Sequence, residues 1–490
     1  MLQRVALVAI LSAGLLAGCF GGKDDSTGTT NGGLLTGADQ LFAGPALWLD
    51  PQDTPHPKWN WPTLANPPVG PNVPSYWQPI AMKPLPGHIA GLSLVSNVGP
   101  AQGITAGAGI AVFGSLAVVP SDGWNGAEGG VVVDVSDPTH PQALGTMDTV
   151  GRGATIIAYP DGRLVSAIST SGGFDVVEIT DPMHPTLLSS AEPSEGGHKI
   201  GLVPGTPIIY NAGSSGGENT VPLLGPGPCN VSIDRCTGYT SIYNLTDPSD
   251  PVLVQEWHNG LACHHIFFYN APDGSKQRGI CAGIQYTQLW DTTDPENPTV
   301  IVSVPVHYGY GDGPSTSVSI AAFSHTAGLS IDGTILYVGD ENMGGGAPPG
   351  CGAGSAVPGV GEAGTPVGAT WFYDVTTETE PRLLGYFAPP RDVNHQVTRT
   401  GAPGNLGSCT THHGRLVPDP EGRDLLAMSY YNDGVIVLDF TPTGPEGASV
   451  IEPKIVGEFH DGSDTWETWY YGGYLFVGDL QRGLDILTFG

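Results

Sequence analysis

One phrase returns along this chain and restricts its fold more than any other feature. It reads "GGVVVDVSDPTHP" from Gly129, "GGFDVVEITDPMHP" from Gly172, "TSIYNLTDPSDP" from Thr240 and "YTQLWDTTDPENP" from Tyr286. It recurs as "TWFYDVTTETEP" from Thr370 and "DGVIVLDFTPTGP" from Asp433, then ends the chain as a shortened "RGLDILTFG". Alternating β-branched and apolar residues make a half-buried strand. Asp134, Asp291, Asp374 or Asp439 then ends it by hydrogen-bonding the backbone of the turn, and prolines such as Pro138 and Pro141 stop the ladder. The equivalent positions Asp134, Glu178, Asn244, Asp291, Asp374, Asp439 and Thr488 number seven.

Before most copies lies a hairpin pair, as in "GLSIDGTILYVGD" or "LVPDPEGRDLLAMSY", with Asp-Gly or Glu-Gly at its turn. After the prolines comes a further strand such as "QALGTMDT", "RLLGYFAP" or "KIVGEFHD". A hairpin, the phrase strand and this outer strand make four strands per unit, which is a propeller blade. The expected fold is all-β, a seven-bladed β-propeller over residues 87–490. The last copy has no outer strand, so a segment near 88–97, "HIAGLSLVSN", must complete its blade and close the ring. In copies five and six the Asp-Pro turn is replaced by Thr377-Glu378 and Thr441-Pro442, which leaves their register open.

The phrases "VVVDVSDPTHP", "FDVVEITDPMHP" and "VIVLDF" resemble the LVIVD-repeat family of bacterial and archaeal surface proteins. That resemblance implies a β-propeller and is nearly silent on function, because propellers host binding and catalysis alike.

The N-terminus, "MLQRVALVAILSAGLLAGC", sets one Arg before an apolar run too short to span a bilayer, the pattern of an export signal. Leu16, Ala17, Gly18 and Cys19 resemble the lipobox of bacterial lipoproteins. The resemblance implies cleavage after residue 18, a lipid on Cys19 and a membrane partner. Residues 19–43 read as a flexible tether and the Pro-rich 44–86 as an extended segment on the propeller. Phe20 is not the aspartate that holds such lipoproteins at the inner membrane, so the outer membrane or cell surface is expected.

Seven cysteines less Cys19 leave six, an even number suited to disulfides in an oxidising compartment. Cys229 and Cys236 are close enough to staple one loop. Cys263 with Cys281 and Cys351 with Cys409 are the other candidate pairs, the alternative for Cys263 and Cys281 being two small buried apolar side chains. Seventeen basic residues against 47 acidic ones give a formal charge of −30, which excludes nucleic acid as a partner. A monomer acting on an extracellular ligand or protein is expected.

Histidines stand in register within the hairpins. "HKIGLVPG" from His198, "HTAGLSID" from His325 and "HHGRLVPD" from His412 superpose without gaps, with Leu202, Leu329 and Leu416 four residues on. "HHIFFYNAPDG" from His264 joins them with Phe268 in the leucine place. The first strand of a blade lines the central channel, so these starts converge at one end of the axis. Converging neutral imidazoles suit a transition metal such as Zn, Cu or Fe. His265 and His413 are alternates to their neighbours, since alternation along a strand turns only one of each pair inward. Asp464 falls at about the same place in the seventh repeat, and Ala106 and Ala154 in the first two.

A competing view makes the histidines a repeat signature that hydrogen-bonds the neighbouring blade. Insertions at 213–239, 307–323, 344–369 and 388–411 interrupt the histidine-bearing blades and suggest a pocket. They carry Tyr308, Tyr310, Asp312 and Glu362, and with Glu341 these are unranked acid/base candidates. His307 and His395 lie in the same insertions and could roof the channel, whereas His258 and His460 read as surface residues. No haem, nucleophile-elbow or His-Glu-x-x-His signature is present. Two functions follow as expectations: a metal-dependent binder or enzyme of oxidative or lyase type, or a non-catalytic adhesion propeller with structural histidines.

Overall fold

The structure, a computed structural model, describes residues 56–59, 61–64, 74–81, 83–104, 106–122, 129–193, 195–213, 239–271, 274–283, 286–305, 323–341, 368–389, 410–445, 447–460 and 464–490. The lipobox with Cys19, the tether, Cys229, Cys236, Cys351, Cys409, His307, His395, Tyr308, Tyr310, Asp312 and Glu362 lie outside these residues.

The described residues form seven four-stranded antiparallel sheets and no α-helix. Blade one runs through Ala111–Phe113, Leu116–Val119, Gly130–Asp134 and Gln142–Met147. Blade two holds Gly153–Ala158, Leu164–Thr170, Gly173–Glu178 and Thr186–Ala191. Blade three holds Lys199–Leu202, Ile208–Ala212, Thr240–Asn244 and Val252–Trp257. Blade four holds His265–Asn270, Gln277–Gly283, Tyr286–Asp291 and Thr299–Pro305. Blade five holds Phe323–Leu329, Ile335–Glu341, Thr370–Asp374 and Arg382–Phe387. Blade six holds Gly414–Pro418, Asp424–Ser429, Val435–Asp439 and Lys454–Phe459. Blade seven takes Thr465–Tyr471, Tyr474–Asp479 and Gly483–Phe489 from the C-terminus. Its outer strand is Leu92–Val98, paired Leu92 to Phe489 and Val98 to Leu484. The expected closure is therefore present, and it leaves the ring without a free seam.

The repeated phrase works as its chemistry requires. The Asp134 carboxylate accepts the amide of Ser136 at 2.8 Å, and Asn244, Asp291, Asp374 and Asp439 accept the equivalent amide at 2.9 to 3.0 Å. The fifth and sixth copies keep this turn although they lack Asp-Pro, so their register matches the others. Every outer strand carries one extra residue against its partner, as between Val132 and Val133 or Val437 and Leu438. Such a bulge bends and twists the strand, here at the same depth in each blade. The bulged residues, Leu144, Leu188, Val254, Ile301, Leu384 and Val456, are apolar and pack on the core clusters.

The core lies between neighbouring sheets. Ile280 and Leu289 of blade four meet Leu336 and Trp371 of blade five in one cluster, and Phe372 meets Phe440 of blade six with ring centroids 4.9 Å apart. From the Pro-rich segment, Trp77 is buried, crosses Phe113 edge to face at 5.0 Å and donates its indole N–H to the Gly162 carbonyl at 3.0 Å.

Candidate metal centre

Five blades enter their first strand through one backbone contact. The amides of Ala108, Arg152, His198, His264 and His412 donate to the carbonyls of Pro120, Ser169, Ala212, Ala282 and Ser429 at 2.7 to 3.1 Å. In blades five and seven a register shift takes the place of that contact, between Ser324 and Thr326 and between Thr465 and Glu467. The extra residues there are His325 and Trp466. One row around the axis is thus Ala108, Arg152, His198, His264, His325, His412 and Trp466. The four histidines superpose as their sequences imply. The other three places differ from the sequence alignment: Ala108, Arg152 and Trp466 stand where Ala106, Ala154 and Asp464 were expected. Asp464 instead donates its backbone N–H to Asp479 Oδ2, at the end of the neighbouring strand of the same blade, at 3.0 Å. The bulge before Glu467 carries Trp466 inward, a shift the strand pattern does not encode.

The row forms an arc of touching rings. Centroids are 3.9 Å apart for His198 and His264, 4.3 Å for His264 and His325, 4.2 Å for His325 and His412, and 4.1 Å for His412 and Trp466. Both members of the His412–His413 pair join it, His413 lying 4.2 Å from His412 and 4.6 Å from His325. Alternation does not separate this pair because it stands ahead of the strand that begins at Gly414, where the pleat has not started. His265 packs at a tilt against His413, ring centroids 4.5 Å apart, and its Nδ1 lies 3.0 Å from the Thr326 hydroxyl.

Two sets of donor atoms lie within 4.8 Å of one another: His325, His412 and His413, and His264, His325 and Glu341. Zinc-type bonds of about 2.0–2.1 Å place tetrahedral ligand atoms roughly 3.3 Å apart, so modest side-chain movement would close either set. Glu341 ends the second strand of blade five, and its Oε2 is 3.4 Å from His325 Nε2. It also accepts the hydroxyl of Tyr431, a residue held in the left-handed region at φ 49°. Glu341 was only one unranked candidate in the sequence, and Tyr431 was not singled out at all.

All six histidines are buried. Burial holds each well below the usual imidazole range, His264 at about 3, and nearby Lys199, Arg152 and the other rings push the same way. The imidazoles are therefore neutral, the form that ligates metal. His198 Nδ1 lies 3.1 Å from the His264 carbonyl, and His412 Nδ1 bonds the Trp466 carbonyl. An Nδ1–H donated to backbone fixes the tautomer and leaves Nε2 with a free lone pair. Beside this centre, burial raises the Asp340 carboxyl to about 7 although Trp371 Nε1 donates to it at 2.7 Å.

One step down the channel, Lys199 and Glu467 cross the axis as an ion pair at 2.7 Å, both buried. Burial pulls the Lys199 ammonium down while Glu467 holds it up. Neither residue was singled out in the sequence. Blade four is stapled next to its histidines by the disulfide Cys263–Cys281, with Cα atoms 5.4 Å apart. His258 and His460 lie away from the arc, His258 against Tyr239 at 5.2 Å and His460 against Glu458 at 3.0 Å.

The LVIVD repeat model matches residues 109–149 and 462–487, which are blade one and the body of blade seven. The fold is a β-propeller that carries LVIVD-repeat matches in its first and seventh blades. No curated protein matches the sequence. Among solved structures it is similar to a periplasmic gluconolactonase of Pseudomonas aeruginosa at 10% identity, over 72% of this chain and 86% of that one, with a TM-score of 0.43. It is also similar to a hypothetical selenium-binding protein of Sulfolobus tokodaii at 12% identity, over 76% and 80% of the two chains, with a TM-score of 0.40. At such identities no chemistry carries over to this chain. The disulfide hints at an extracytoplasmic location. No helix among the described residues is long and apolar enough to cross a membrane.

Proposed function

We propose that the axial histidines bind a transition metal, Zn, Cu or Fe, and that the protein uses it outside the cytoplasm. A lipid on Cys19 would hold it at the outer membrane or cell surface. The observation that carries this reading is the place of His325 in both donor sets, with His412 and His413 on one side and His264 and Glu341 on the other. Neutral imidazoles plus one carboxylate make a mixed N/O donor set that suits such ions and gives no preference for calcium or magnesium. A bound ion would supply Lewis acidity or an activated water for oxidative or lyase-type chemistry on an extracellular substrate, or would hold a ligand. The protein's own residues then position it: the Nδ1 bond to the Trp466 carbonyl orients His412, and Tyr431 orients Glu341.

The inter-blade bonds of His198 and His412 also favour a second reading, an adhesion or protein-binding propeller in which the histidines only join blades. Metal analysis of the purified protein separates the two. The metal reading expects a stoichiometric transition metal that is lost in His325→Ala and reduced in Glu341→Gln. Absence of bound metal after supplementation, with a His198/His264/His325/His412→Ala variant that melts well below the parent, would establish the structural reading instead.

A further inference from the structure

We infer that the central channel holds a second, separate ligand: a small carboxylate anion bound to Arg415. Arg415 lies on the first strand of blade six and is 6% exposed. Its guanidinium carbon sits 4.0 Å from the ring centroid of Trp469 and 4.8 Å from that of Phe267. Its Nε is buried without an acceptor, and no ion pair to Arg415 exists among the described residues. The ring contacts compensate part of the charge but accept none of the in-plane N–H bonds.

Arg415 lines a cavity of about 70 Å³, together with Lys199, Glu467, Thr155 and Trp469. Lys199 and Glu467 neutralise each other at 2.7 Å. The charge around the cavity therefore sums to one uncompensated guanidinium, and a buried unpaired charge is costly. A single negative charge completes the balance. A guanidinium presents a planar fork of donors, which matches the two oxygens of a carboxylate better than a spherical halide. Water needs about 10–15 Å³ of such space, so the cavity admits a ligand of only a few heavy atoms. Its apolar wall, with Ile200, Ile266 and Phe268, suits a methyl or short alkyl tail. Acetate has this size, charge and shape.

The test uses the full chain, with acetate titrated at constant ionic strength against chloride and followed by tryptophan fluorescence, calorimetry and melting temperature. Saturable acetate binding with a rise in melting temperature is expected, and chloride should not reproduce it. Arg415→Gln should abolish binding, and Arg415→Lys, which keeps the charge but loses the fork, should weaken it roughly tenfold or more. Acetate also ligates metals, so the titration is run on metal-loaded and chelator-treated protein. Equal binding in both forms supports the Arg415 site, and this outcome is independent of the metal reading. Binding seen only in the loaded form, an equal response to chloride, or no saturable response of the parent protein would overturn the inference. Should either variant fail to fold, the parent's acetate isotherm in the two forms decides the question.

Discussion

His198 Nδ1 lies 3.1 Å from the carbonyl oxygen of His264, the residue that fills the same place in the next blade. The relationship repeats between His412 and Trp466. It ties the centre to the architecture, since the bond that fixes a ring's tautomer is also a bond between blades.

That double role predicts separable mutant effects. His198→Ala leaves the His264 carbonyl without this donor and should cost about 1–3 kcal/mol in urea unfolding. Because His198 stands outside both donor sets, metal content should stay near the parent's. His412→Ala should lower stability and metal content together. Metal loss in His198→Ala equal to that in His412→Ala would contradict this division.

Acid should destabilise the metal-free protein. The six axial histidines have folded values below 6.5, His264 at about 3. As pH falls through about 6.5, the unfolded chain takes up protons that the folded protein refuses, so stability present above that pH is lost progressively below it. Each histidine contributes a slope of up to about 1.4 kcal/mol per pH unit, and six together no more than roughly 8. Urea midpoints of chelator-treated protein between pH 8 and 5 would measure it. A flat profile would mean that the rings are solvated.

The disulfide should support the same region. Cys263 precedes His264, and the bridge closes a separation of 18 residues, so Cys263→Ser with Cys281→Ser should cost about 2–4 kcal/mol. Thermal melts with and without reductant check this. The double variant should respond to reductant less than the parent does.

Closure of the ring predicts cooperativity. Ile486 is fully buried in the strand that pairs with Leu92–Val98, and Ile486→Ala should cost about 2–5 kcal/mol. Removing residues 483–490 deletes both the third strand of blade seven and the attachment of its outer strand. The urea transition should then broaden and move to lower concentration. An unchanged transition in the truncated chain would show that closure contributes nothing.

Local chemistry is legible in the residues in order. The blade count, the Asp-led turns, the closing strand near residue 92 and the shared place of His198, His264, His325 and His412 all follow from alternation, turn residues and spacing, whereas the sequence left Cys263–Cys281 as one candidate pair among others. Each depends on contacts within one blade or on a repeated pattern, and both are written in short stretches of chain. Folding in three dimensions settles the rest. Trp466 displaces Asp464 because of one bulge, His413 joins His412 because the strand starts after them, and Glu341 reaches His325 from the end of another strand. Lys199 meets Glu467 across 268 positions, and Arg415 lies against rings from two other blades. A closed ring brings distant strand starts onto one axis, and single-residue shifts in register set which side chains meet there. Neither has a signature in the linear pattern.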